Sequence, residues 1–313
     1  TSVVVAGGVE LDPNLAEYKP AGGVSGSIKS VGSDTMNNLM TLWAEEFKRA
    51  YPNVSIEIEG KGSSTAPPAL IGGQSTFGPM SRRMKSKEED AFEKRFGYKA
   101  TQLRTSIDML AVYVHKDNPI QGLTLQQVDA IFSKTRKAGY PTDLTTWGQL
   151  GLTGEWADRP ITIYGRNSAS GTYGYFKKHA LKKGDSKDSV KEQPGSSAVV
   201  SSVANDKGGI GYRGIGYKTA DVRAVALARE SGEDFVEAVA ENAYSGDYPL
   251  ARFLWLSLNY KPGSTLDPLR GEFLRLIFSK QGQAVVLKDG YFPITARIAA
   301  QELAKVGLSK ASQ

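Results

Sequence analysis

Arg166-Asn167-Ser168-Ala169-Ser170-Gly171-Thr172 follows Ile161-Thr162-Ile163-Tyr164-Gly165 and precedes Tyr173, Tyr175, Phe176 and Ala180. The first flank alternates as a buried strand, and the second is spaced as an amphipathic helix. A small-residue turn therefore joins a strand to a helix, with Ser-Gly-Thr at the helix mouth. Backbone N–H groups and the positive end of the helix dipole point out of such a turn. Ser170 and Thr172 add hydroxyls, and Arg166 adds a planar fork that can hold two oxygens at once. All of these groups donate hydrogen bonds, so the partner they suit is an oxygen-rich anion. The same string also suits an ordinary turn with a serine cap and a surface arginine, and one motif alone does not separate the two.

The rest of the chain supplies more turns of this kind. Ile28-Lys29-Ser30-Val31 reads as a strand, Gly32-Ser33-Asp34-Thr35 as a turn, and Met36, Leu39, Met40, Trp43 and Phe47 as a helix face. Asp34 suits the N-cap of a helix starting at Thr35. Val54, Ile56 and Ile58 alternate as a strand closed by Gly60-Lys61-Gly62-Ser63-Ser64-Thr65, and Pro67-Pro68 opens another helix. Phe77-Gly78-Pro79-Met80-Ser81-Arg82-Arg83 reads as a fourth turn, before a helix at Ser86 with Glu89 as its capping-box partner. Ligands of open α/β sheets collect where strand ends and helix starts converge, and these turns are built for that place.

Farther along, Leu110, Val112 and Val114 alternate as a strand running into Lys116-Asp117-Asn118-Pro119, and Thr124-x-x-Gln127 caps a helix through Phe132. Residues 134–160 are irregular and hold Trp147 and Trp156. The charged run Lys177–Lys191 reads as a solvated helix face and loop. Gly208-Gly209-Ile210-Gly211-Tyr212 leads into a strand and lacks the Gly-Lys-Ser/Thr of a phosphate-cradling Walker loop. Phe253–Leu258 reads as a buried return strand. Asp267-Pro268, Ser279 and Thr295 each start a helix, the last ending near Gly307.

At 313 residues with 40% hydrophobic content, the chain suits two α/β domains, and no apolar run nears the length of a membrane span. There is no cysteine, and His115 and His179 are its two histidines, so a thiolate or histidine-rich metal centre is not expected. A formal charge of +6 suits an anion partner and equally suits nucleic acid, so charge alone does not choose. The chain opens at Thr1 without a basic-then-apolar leader, as a mature form or a trimmed expression product would.

These turns, in this order, resemble the phosphate-binding proteins of bacterial phosphate ABC transporters. The most specific piece is Arg-x-x-x-Ser-Gly-Thr at Arg166, Ser170, Gly171 and Thr172, supported by Gly62-Ser63-Ser64 and Gly32-Ser33-Asp34-Thr35. The run Pro262-Gly263 … Asp267-Pro268 … Phe273-Leu274 … Ser279–Gln283 … Asp289–Ile294 is also similar to that family, and the similarity covers about Ser27 to Gly307. The resemblance implies an α/β type II periplasmic-binding protein fold, with two lobes, a ligand cleft and two crossing hinge strands. Lobe I would take residues 1–112 and 248–313, with an irregular arm over 1–27, and lobe II residues 113–247. The hinges would lie near Val112–Lys116 and Leu250–Leu256.

Carried over by position, the phosphate site comprises Asp34, Thr35, the N–H of Met36, Ser63, Ser64 and Ser81, with Arg166, Ser170, Gly171 and Thr172 from the second lobe. Two positions depart from the family pattern. Ser81 stands where an Asp often accepts the phosphate proton, and Ser168 stands where an Asp often holds the motif arginine. Asp34 is then the nearest acidic group to replace the acceptor. The resemblance further implies high-affinity phosphate binding for delivery to an ABC permease, by a periplasmic or secreted monomer without cofactor, metal, nucleic acid or membrane span.

Two other readings compete. A secreted phosphatase could use Ser33 or Ser63 as nucleophile, but neither histidine lies in an anion turn and no Gly-x-Ser-x-Gly elbow is present. A surface protein with an adhesive or signalling role could keep the fold, for which the glycine-rich arm is weak support.

Overall fold

The computed structural model describes residues 9–308. In chain order the elements are β1 Ser27–Val31, α1 Asn37–Ala50, β2 Ser55–Glu59, α2 Ala66–Ile71, β3 Gly78–Met80, α3 Ser86–Phe96 and β4 Thr101–His115. Then come β5 Gly122–Thr124, α4 Leu125–Phe132, β6 Thr162–Arg166, α5 Gly171–His179, β7 Lys191–Gln193, α6 Ser196–Ala204 and β8 Gly209–Gly214. The last are β9 Val222–Ala224, β10 Ala226–Ala228, α7 Ala240–Ser245, β11 Ala251–Leu258, α8 Pro268–Ile277, α9 Lys280–Lys288 and α10 Ala296–Ala304.

Two compact units divide the described chain. Unit 1 takes residues up to Ile107, Ala169–Gly171, and residues from Phe253 onward; unit 2 takes Asp108–Ser168 and Thr172–Arg252. The chain thus changes unit inside β4 at 107/108 and inside β11 at 252/253, against 112/113 and 247/248 read from the sequence. Ala169–Gly171 group with unit 1, whereas the sequence reading gave Ser170 and Gly171 to the second lobe.

In unit 1, β1 and β2 run parallel in register from Ser27 opposite Ser55 to Val31 opposite Glu59. The residues read as a fourth turn contain a strand instead. β3 pairs antiparallel with β11, Met80 opposite Trp255 and Gly78 opposite Ser257, and the turn proper begins at Ser81. Pro79 hid the strand, because proline cannot donate to a ladder and is confined to edges and strand starts. α1 is amphipathic as expected, with Leu39, Met40, Trp43, Ala44 and Phe47 buried. Phe47 meets the edge of Phe273 at 5.2 Å, and Trp43 Nε1 donates to Gly282 O at 2.8 Å. Burying each such side chain contributes about 1.5–3 kcal/mol, which fixes the helix against α8 and α9.

Caps explain how the helices start. Thr124, Asp267, Ser279 and Thr295 each accept a backbone N–H at the start of α4, α8, α9 and α10, as their sequences lead one to expect. Two expected caps differ. α3 starts from Lys85, whose N–H is held by the Glu88 carboxylate at 2.8 Å, while Glu89 turns to Gln102 instead. α1 begins at Asn37 with Met36, not Asp34, at its N-cap, and the carbonyls of Ser33 and Asp34 take the N–H groups of Met36 and Asn37 at 3.2 and 3.1 Å.

In unit 2, β4 pairs antiparallel with β8, β8 parallel with β6, and β6 parallel with β7, while β9 adds to β4. β4 is far longer than the Leu110–Val114 segment that alternates. Its first half carries Gln102, Thr105, Ser106 and Asp108, all buried, and buried polar residues erase the alternation that marks a strand. Under the sheet, the Phe176 ring stacks on Tyr212 at 3.8 Å, and Phe132 meets both rings edge-on. Trp147 and Trp156 pack at right angles with centroids 6.4 Å apart, so the irregular stretch they anchor is well held.

Candidate anion-binding site

In unit 1 the turns following β1, β2 and β3 lock onto one another through the backbone. Gly32 N–H donates to Glu59 O at 3.0 Å, Gly62 N–H to Gly32 O at 2.7 Å, and Ser33 N–H to Pro79 O at 2.8 Å. A Cβ at Gly32 would lie 2.2 Å from Pro79 O, so only glycine lets these turns approach so closely. Gly62 holds φ at +118°, a conformation that other residues rarely adopt.

The 169–171 segment joins this cluster. Ser64 N–H donates to Ala169 O at 3.2 Å, and a Cβ at Gly171 would sit 2.1 Å from Ser63 Oγ and 2.4 Å from Ser81 Oγ. Gly171 is therefore in tight contact with two buried serines. Ser63 Oγ accepts the Ser81 N–H at 3.0 Å and lies 3.2 Å from Ser81 Oγ. Because Ser63 Oγ already accepts, its own proton is left to donate. Thr35, Ser33 and Ser170 are also buried, and Tyr291 OH donates to Thr35 O at 2.8 Å, fixing the β1–α1 turn. Ser64 has a supporting place: its Oγ accepts from Arg82 Nη2 at 3.2 Å, while Arg82 grips Glu88 bidentately at 2.7 and 2.8 Å. Asp34 is half-buried at the mouth of the turn, and the Met36 N–H, expected to face the anion, is engaged by Ser33 O.

Unit 2 carries Arg166 and Thr172. Arg166 lies at the end of β6 and is 3% exposed, so its charge is held almost out of water. Nη1 donates to Ser196 Oγ at 2.8 Å and Nη2 reaches Pro194 O at 3.5 Å, while Tyr212 OH accepts its backbone N–H at 3.3 Å. Ser196 and Pro194 thus do the holding for which Ser168 lacks a carboxylate. Thr172 Oγ1 accepts from Arg252 Nη2 at 2.9 Å. Arg252 in turn pairs with Asp108 through Nε at 2.9 Å and Nη2 at 2.8 Å, and Ile215 N–H adds a third donor to that carboxylate at 3.0 Å. Burial pushes the Asp108 carboxyl up, and Arg252, the Ile215 N–H and Arg213 pull against it. Three N–H donors on its oxygens favour the carboxylate. Arg213 is also buried and lies over the Tyr217 ring at 3.6 Å.

Asp108, Ser196, Arg213 and Arg252 were not among the sequence candidates. The signal was a charged residue inside an apolar strand, Ile107-Asp108-Met109 and Ala251-Arg252-Phe253, which burial makes costly unless paired.

Residues 19–281 match the family described as a PBP superfamily domain. The Phosphate-binding protein PstS of Pseudomonas aeruginosa is 58% identical over 298 residues, covering 95% of this chain and 92% of that protein. The chain belongs to the PstS phosphate-binding protein family. A crystal structure of a putative phosphate ABC transporter substrate-binding protein from Clostridium perfringens, with bound phosphate, is 28% identical with a TM-score of 0.71, covering 86% of this chain and all of that one. An ABC-type phosphate transport receptor from Vibrio cholerae, 20% identical with a TM-score of 0.64 over 87% of this chain and all of that one, shares the fold. The family's periplasmic-binding α/β fold is the one read from the sequence.

Neither histidine of this PstS family member stands among these turns. His115 closes β4, with Nδ1 accepting from Asp117 N–H, and His179 stacks on Tyr175 at 4.2 Å. Among the described residues no group of three His, Cys, Asp or Glu could hold a metal ion, and no helix is long and apolar enough to cross a membrane.

Proposed function

We propose that this chain binds inorganic phosphate and carries it to an ABC importer, as a periplasmic or secreted monomer that performs no chemistry on its ligand. The observation that carries the reading is the 166–172 heptad. Its Gly171 is set against Ser63 and Ser81 in unit 1, and the next residue, Thr172, is held with Arg166 in unit 2. Thr35, Ser63 and Ser170 of unit 1, and Arg166 and Thr172 of unit 2, are the donors proposed for the tetrahedral anion. Ser81, Ser64, the Met36 N–H and Asp34 belong to the same proposed site, with Asp34 taking the proton that hydrogen phosphate carries and sulfate lacks.

Delivery to a permease is supported by the names of the relatives, a phosphate-binding protein and a putative phosphate ABC transporter substrate-binding protein. The binding role over the phosphatase role is supported by the placement of both histidines away from Ser33 and Ser63, His115 at the end of β4 and His179 stacked on Tyr175. Incubating the pure chain with a generic phosphate ester separates the two. Stoichiometric retention of phosphate with no ester turnover is expected, and catalytic release of the alcohol would contradict the reading.

A further inference from the structure

We propose that Arg252 is a positioning residue for anion binding: with Asp108 behind it, it turns the Thr172 hydroxyl proton away from itself and biases that hydroxyl toward donation. The inference rests on the phosphate reading above and deepens it. Thr172 Oγ1 accepts the Arg252 Nη2 proton at 2.9 Å, so the threonine's own proton must be directed at another acceptor. A threonine hydroxyl normally rotates between donating and accepting, and so binds protonated and bare oxygens alike. Held from behind by a guanidinium, it is polarised toward donation and suits a bare phosphate oxygen better than a P–OH.

The holder is itself held. Arg252 is 6% exposed, and both its Nε and Nη2 rest on the fully buried Asp108. Asp108 is fixed from the other side by Ile215 N–H, and a Cβ at Gly214 would lie 3.0 Å from both of its carboxylate oxygens, so a larger residue there would crowd the carboxylate. Asp108 is the first residue of unit 2 after β4 enters it, and Arg252 the last before β11 leaves it. The pair therefore ties the anion turn to the two strands by which the chain changes unit. Arg213, buried near Asp108, adds a second guanidinium against that single carboxylate, so this part of unit 2 carries a net positive charge suited to a dianion.

The test is a double-mutant cycle on the full chain, read by calorimetric titration with inorganic phosphate. Thr172→Val removes the hydroxyl at nearly constant volume, and Arg252→Met removes its holder. Each alone should weaken phosphate by on the order of tenfold, while the double variant should be weaker than the worse single one by no more than about twofold. Arg252→Met combined with Ser63→Ala should instead multiply the two losses. Titrations at about pH 6 and about pH 8 add a readout that a merely structural role would not move. The preference of the wild type for the more deprotonated phosphate should shrink in Arg252→Met. Should Arg252→Met fail to fold, Arg252→Lys keeps a cation beside Asp108 but lacks the fork that reaches both partners, and it should show the same non-additivity with Thr172→Val. Losses that multiply between Arg252 and Thr172, with an unchanged pH profile, would overturn the positioning role while leaving phosphate binding intact. No phosphate uptake by the wild-type chain would overturn the functional reading itself, and this role with it.

Discussion

Gly171→Ala puts a methyl group where the structure leaves no room for one. Its Cβ would stand 2.1 Å from Ser63 Oγ and 2.4 Å from Ser81 Oγ, whereas ordinary contact begins at 3.4 Å. The missing space is thus more than an ångström at Ser63. Both serines are fully buried, and Ser63 Oγ is tied to Ser81 N–H at 3.0 Å, so neither can swing aside without breaking that bond. Overpacking and the lost hydrogen bond together cost about 2–4 kcal/mol, on the order of 30- to 1000-fold in phosphate affinity with these serines facing the anion. The assay is calorimetric phosphate titration with thermal unfolding run in parallel. Gly271→Ala is the control: in the interior of α8 its Cβ would meet only Leu308, at 3.7 Å, so it should leave affinity alone and stabilise by about 0.5–1 kcal/mol. Wild-type affinity in a folded Gly171→Ala variant would refute the placement of Gly171 against the binding serines.

Arg166→Ala should weaken phosphate by about 3–5 kcal/mol, because a buried guanidinium braced by Ser196 is the main countercharge; Arg166→Lys should restore only part, and equilibrium dialysis measures both. Asp34→Asn should let sulfate compete with phosphate in a competition titration while the fold is kept, and an unchanged selectivity ratio would remove Asp34 as selector. Asp289, half-ringed by α1 and α9, has its carboxyl pushed up to about 6 by burial, only partly offset by its bond from the Asn38 amide. The folded protein therefore holds this proton more tightly than the unfolded chain, so stability falls as pH rises from about 4 to about 6. Asp289→Asn should gain relative to wild type across that window, by at most about 3 kcal/mol, in denaturant unfolding; a constant difference between the two proteins would contradict the titration.

Where a segment announces itself locally, its sequence was enough. The 166–172 turn, the helix starts at Thr124, Asp267, Ser279 and Thr295, and the amphipathic α1 follow from capping chemistry and spacing. Features made by long-range partners were not legible. Pro79 lies in a strand only because β11 offers it an edge, and Thr101–Ile107 extend β4 with polar side chains that tertiary partners bury. The same holds in the site. Ser170 and Gly171 follow β6 in the chain, yet they group with unit 1 because glycine fits against Ser63 and Ser81. Arg252 and Asp108 are 144 residues apart, and only the fold brings them to Thr172.

The most direct test of the central claim is calorimetric titration of the ligand-stripped chain with phosphate, with sulfate and arsenate alongside. The account predicts saturable uptake of one phosphate per chain, with arsenate, of the same protonation and geometry, competing and sulfate binding far more weakly. Absence of any phosphate isotherm, or sulfate bound as tightly as phosphate, would contradict it.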